Sequence, residues 1–110
     1  MIFSKLELHD IKKALWPLME KIRPHQQLRA LLDVAYRIDG RNIEIFMVQP
    51  QLGSEPHETS TVKISHIRDQ DEWRVYCMRI TQKWALYDKA KTLDDALEIV
   101  SIDKHGCFFG

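Results

Sequence analysis

The stretch from Leu32 to Met47 constrains this chain more than any other. Leu32, Val34, Tyr36 and Ile38 alternate with polar or small residues, Asp39-Gly40 follows, and Ile43, Ile45 and Met47 alternate again. A period of two places one set of side chains on one face of a strand. Asp-Gly between two such runs marks a hairpin, because tight hairpin turns need positive φ. With Asp39-Gly40 as a two-residue loop, Tyr36 is expected opposite Ile43, Val34 opposite Ile45 and Leu32 opposite Met47. The reverse face then holds Arg37 with Asn42, Ala35 with Glu44, and Asp33 with Phe46. One apolar face and one mixed face describe a sheet covered on a single side.

The rest of the chain supplies more strands and two covers. Pro50 to Thr59, with Pro50, Gly53 and Pro56, reads as a loop. Strands are expected over Thr61–Arg68, Trp73–Ile80 and Lys83–Asp88, joined by Asp69-Gln70-Asp71-Glu72 and by Thr81-Gln82. Connections this short allow only antiparallel neighbours. Upstream, Ser4-Lys5-Leu6-Glu7 is a capping box, with Phe3 and Leu8 as its hydrophobic staple. Leu8, Ile11, Leu15, Leu18 and Ile22 form one helical stripe, with a kink expected at Pro17 and a stop at Arg23-Pro24. Downstream, Thr92 caps a helix whose stripe is Leu93, Leu97 and Val100. The expected fold is a single α+β domain over residues 1–110. It is a five-stranded antiparallel meander with an N-terminal and a C-terminal helix packed on one face, in the order α-β-β-β-β-β-α.

Composition narrows the function classes. The chain has 110 residues, 45% hydrophobic and 29% charged, within the ordinary globular range. Lys+Arg and Asp+Glu balance at 16 each, so no global field draws it to nucleic acid or to anionic membranes. Charges interrupt the first residues too early for a signal peptide, and no apolar run is long enough to span a bilayer. The cytoplasm is the expected compartment. Cys77 and Cys107 form no Cys-x-x-Cys motif, and a disulfide is not expected there.

Two groups of residues could carry function. In the register that these turns imply, the uncovered face shows Lys63, Arg74, Tyr76, Met78, Lys83 and Tyr87. Rings beside cations suit single-stranded nucleic acid, although the net charge does not support it, and no RNP-type motif or phosphate loop accompanies them. The same composition suits a protein interface, either with a partner or with a second copy in a homodimer. Surface decoration of a sheet is the blander reading. Cys77, His66 and Arg79 fall on the covered face: a small core residue, a hydrogen-bonded histidine and a guanidinium that needs a partner near Trp84. The second group is His105 and Cys107, two residues apart, where an imidazole could activate a thiolate or share a metal. The other ligands of a metal site are not evident, a C-terminal Cys-Phe-Phe is more often a hydrophobic plug, and no cofactor is expected. The weight falls on a non-enzymatic interaction or self-associating domain.

Trp73-x-Val75-Tyr76-x-Met78-Arg79, Lys83-Trp84-x-x-Tyr87 and the closing His105-Gly106-Cys107-Phe108-Phe109-Gly110 resemble a family of short bacterial proteins known only as a domain of unknown function. The resemblance covers nearly the whole chain, and the closing hexapeptide is its most specific part. It implies no activity, substrate, cofactor or catalytic residue. The chain departs from the family pattern at Ala85, where His is frequent, and at Cys77, where an aromatic is common.

Overall fold

The computed structural model describes residues 3–29, 31–51, 53–103, 106 and 108. Helix α1 (Lys5–Ile22) is followed by strands β1 (Asp33–Asp39), β2 (Asn42–Gln51), β3 (Ser54–Ile67), β4 (Glu72–Met78) and β5 (Trp84–Ala90), then helix α2 (Leu93–Ile102). Single 3-10 turns occupy Gln26–Leu28 and Arg68–Gln70. The strands form one antiparallel sheet in the order β1-β2-β3-β4-β5. This is the expected α+β meander.

Local chemistry starts and stops both helices. The Ser4 hydroxyl accepts from the Glu7 amide at 3.1 Å, and the Glu7 carboxylate accepts from the Ser4 amide at 2.9 Å. Two of the donors that a helix start leaves unpaired are thereby satisfied. Helix α1 runs through Pro17 and ends at Arg23, whose backbone is extended ahead of Pro24. Thr92 caps α2 by accepting from the Asp95 amide at 3.1 Å.

Both helices lie on one face of the sheet. Leu15 of α1 and Val100 of α2 are fully buried together with Ile43, Ile45, Val62, Ile64 and Val75 of the central strands. Each of these contributes roughly 1.5–3 kcal/mol of transfer free energy. The helices also meet directly, where the Lys21 ammonium donates to the Ser101 carbonyl at 2.9 Å.

The expected pairings shift, in two different ways. In the first hairpin Asp39 pairs with Asn42, Tyr36 with Ile45 and Val34 with Met47. The loop is therefore Gly40-Arg41, with Gly40 alone at positive φ (60°), as a turn with glycine first requires. Between β3 and β4, Lys63 pairs with Tyr76 and Ile64 with Val75. Both registers lie two residues from expectation, so every side chain keeps its face. Leu32 stands outside the strand, and its amide donates to the Leu28 carbonyl.

Two bulges act differently. Thr61 is an extra residue in β3, between the pairs Phe46–Ser60 and Ile45–Val62. Its hydroxyl donates to the Ile45 carbonyl at 3.2 Å, which satisfies a buried group at the bulge. Beyond it the expected loop is instead strand. Residues 54–60 continue β3 alongside β2, and Pro50 falls in a second register shift, where its missing N–H costs no ladder bond. Tyr87 is the extra residue of β5, between the pairs Val75–Asp88 and Tyr76–Leu86. The preceding turn is longer than expected. Gln82 takes positive φ (67°), and the Arg79 amide donates to the Lys83 carbonyl at 2.9 Å. This one-residue change inverts the start of β5. Trp84 and Leu86 face outward, and Tyr87 turns inward onto the core. Arg79 is exposed in the turn and needs no buried partner.

Candidate interaction surface

The face opposite the helices has no helix over it among the described residues. Strand pairing places Lys63 beside Tyr76, Tyr76 beside Leu86 and Met78 beside Trp84. The Lys63 ammonium stands 4.7 Å from the Tyr76 ring centre and 5.3 Å from that of Trp84. A cation this close to two ring faces is attracted by both quadrupoles. Leu86 is 49% exposed, and Tyr76, Met78 and Trp84 are partly exposed. Together they form an apolar patch around one ammonium.

Ion pairs lie around the patch. Arg74 Nε donates to Glu72 Oε2 at 2.7 Å, and its Nη2 donates to Gln70 Oε1 at 3.2 Å. The hydrogen bond from Arg74 holds the Glu72 carboxyl below the usual carboxylate range. Toward β1, Arg37 covers the Phe46 ring at 4.1 Å, donates to Glu58 Oε1 at 2.9 Å and lies 3.8 Å from Glu44. Ser60 donates to Glu44, and Ser65 donates to Asn42. Phe46 is buried beneath this layer, on the opposite side of the sheet from the main core.

Of the residues expected on this face, the pairing brings Lys63, Arg74, Tyr76 and Met78 together. Lys83 lies in the β4–β5 turn and is exposed. Tyr87 points to the other side, edge-on to Phe108, because the longer turn before β5 shifts the alternation by one residue. His105 and Cys107 lie outside the described residues. Sequence reasoning missed Trp84 and Leu86. The sequence held no signal for them: the three-residue turn ends in Gln82 at positive φ, a conformation that Gly or Asn would have announced and glutamine does not.

A second cluster sits at the end of the sheet where α1 begins. His66 packs on Trp73 with ring centres 4.6 Å apart and planes tilted by 38°, and Phe3 stacks on Trp73 at 6.0 Å. Arg41 covers Phe3 at 4.6 Å and contacts His66 Nδ1, while His66 Nε2 lies 3.3 Å from Asp71. The Arg41 side chain is 12% exposed, and its Nε and Nη1 have no hydrogen-bond partner among the described residues. A cavity of about 550 Å³ opens beside Phe3 and Trp73, between the N-terminal half of α1 and the start of α2. Cys77 is partly buried against the core opposite Ala85, as a small packing residue. Among the described residues no three His, Cys, Asp or Glu side chains are placed to share a metal ion. No helix among them is long and apolar enough to cross a membrane.

A family model described as a domain of unknown function, DUF3024, matches residues 3–110. No curated protein and no solved structure matches the chain.

Proposed function

Since the chain belongs to DUF3024, a domain of unknown function that lends it no activity, we propose that it is a non-enzymatic interaction domain whose open sheet face seats another protein. One observation carries this reading: the solvent-facing patch of Tyr76, Met78, Trp84 and Leu86, bordered by paired charges. Aromatic residues and Met are enriched at the centres of protein interfaces, and polar groups form their rims. The charge pairing favours protein over nucleic acid. A phosphate backbone needs accessible cations. Here Arg37 and Arg74 are held by carboxylates, Lys63 lies against rings, and Glu44, Glu58 and Glu72 share the face.

A photo-crosslinking side chain at position 86, in cells producing the protein, tests this. A discrete adduct is expected there and none at Glu98, on the outer side of α2. Absence of an adduct at 86 removes the proposal. Titration with a labelled oligonucleotide at low salt is expected to show no binding. Saturable binding lost on Tyr76→Ala would replace the protein reading with a nucleic-acid one, since the phosphate contribution is greatest at low salt.

A further inference from the structure

The two edges of the sheet are built differently. Strand β5 is interrupted by the Tyr87 bulge and carries an edge lysine, Lys89, devices that discourage further pairing. Strand β1 has neither bulge, proline nor lysine, and its register with β2 is unbroken from Asp33 to Asp39. Among the described residues it pairs with β2 alone. Asp39 and Asn42 close a two-residue loop, so Asp33, Ala35, Arg37 and Asp39 turn their backbone groups toward β2. Val34, Tyr36 and Ile38 therefore turn theirs outward. The Val34 amide donates at 2.7 Å to the Asp33 carboxylate, as an amide without a ladder partner would.

A groove of about 340 Å³ runs beside this edge, between β1 and α1. Lys12, Trp16 and Glu20 of α1 line it, at helical spacings of four, opposite Val34, Ala35 and Tyr36. Trp16 is 68% exposed there.

We infer that two copies of this chain join edge to edge through β1, antiparallel about a two-fold axis at Ala35, to form a continuous ten-stranded sheet. The residue pattern is self-complementary about that point. Val34 and Tyr36 of each copy exchange backbone hydrogen bonds with Tyr36 and Val34 of the other. The small Ala35 sits at the axis, and Asp33 comes level with Arg37 of the other copy, each already held within its own chain, Asp33 by Arg23 and Arg37 by Glu58, so that no like charges stand opposite one another. Centring the pairing on Tyr36 instead sets Asp33 against Asp39, and like charges opposite one another are unfavourable. The same axis brings the two α1 helices side by side and antiparallel, so that Trp16 meets Trp16 and Lys12 faces Glu20 across the boundary. Strand edge, charge order and exposed tryptophan thus specify one occupant, and the contact is of the self-complementary kind that closes as a dimer. This interface lies at the opposite edge of the sheet from Trp84 and Leu86 and does not use them.

Sedimentation of the full chain is expected to give a concentration-dependent dimer. Lys12→Glu and Glu20→Lys, both on exposed positions, are each expected to weaken it several-fold, and the double variant to restore it. Ala35→Cys places two thiols in a non-hydrogen-bonded pair, with Cα atoms about 4.5 Å apart, inside the roughly 4.4–6.8 Å that a disulfide spans. This variant is expected to crosslink under mild oxidation. Arg37→Cys, displaced from its counterpart by about 13 Å along the strand, is expected not to. Leu86→Glu, which tests the open-face proposal, is expected to leave the mass unchanged. A monomer at every concentration overturns the inference. So does crosslinking of Arg37→Cys as readily as Ala35→Cys, or a dimer abolished by Leu86→Glu and indifferent to the α1 variants.

Discussion

Tyr87 meets Phe108 edge to face, with ring centres 4.8 Å apart and planes inclined by 64°. Phe108 is buried, and Tyr87 packs on the same core. The contact exists because the longer turn before β5 sets Tyr87 on the covered face, and the bulge at Tyr87 then restores the register at Asp88. Phe108→Ala is expected to cost about 3 kcal/mol, the low end for a buried phenylalanine. Tyr87→Ala is expected to cost more than about 2 kcal/mol. A solvent-facing tyrosine would cost less than about 0.5 kcal/mol. Urea unfolding of the two variants distinguishes these outcomes.

The Arg23–Asp33 pair sets part of the acid response. Arg23 donates to both oxygens of Asp33, at 2.9 and 2.7 Å. These hydrogen bonds hold the Asp33 carboxyl below its ordinary range. A carboxyl depressed in the folded state takes up its proton first in the unfolded chain. Its stabilisation is therefore complete above the ordinary aspartate value, about 3.9, and declines as pH falls from there through the lower folded value. Asp33→Asn is expected to reduce stability at neutral pH and to flatten the loss below about pH 4. Urea midpoints measured across the acid range check both the sign and the window.

Arg41 is a candidate for removal. Its buried guanidinium has two nitrogens without hydrogen bonds among the described residues, and its nearest carboxylate contact, Glu7, is 3.9 Å away. A buried charge so incompletely paired is expensive, and apolar replacements of similar volume are often neutral or stabilising. Arg41→Met is expected to leave stability unchanged or raise it by about 1 kcal/mol. A thermal melt lowered by several degrees would show that the Phe3 and His66 contacts outweigh the desolvation.

The Lys63 sandwich has a spectroscopic signature. Ring currents from Tyr76 and Trp84 are expected to move the Lys63 methylene proton signals upfield. Trp84→Ala is expected to return them part of the way toward exposed-lysine values. Loss of the cation–ring contact is expected to cost about 0.5–1 kcal/mol. Unshifted Lys63 signals in the wild type would rule out the arrangement.

The fold was legible because its errors were mostly even. The alternation at Val34, Tyr36, Ile43 and Ile45 identified the covered face, and two-residue slips in two hairpins left that face intact. The capping residues Ser4 and Thr92 announced their helices by chemistry alone. The bulges could not be read this way. Nothing in the alternation of residues 83–88 marks Tyr87 as the extra residue, because Trp84, Leu86 and Tyr87 suit either face. Burial against Phe108 and the turn at Gln82 decide between them. Half of the proposed surface therefore emerged only with the tertiary structure. The β3 extension was hidden by Pro50 and Pro56, which read as a loop locally but are accommodated in an exposed ribbon with a register shift.

The contact between α1 and α2 has a consequence for biosynthesis. Each neighbouring pair of strands is joined by a short turn, so the meander can zip up as it leaves the ribosome. Its greasy side, however, needs a helix from before the first strand and another from after the last. Until residues 93–108 have been made, only half of the lid is available. A nascent chain at that stage presents sticky surface, and a stall there is where chaperone capture or clumping would concentrate.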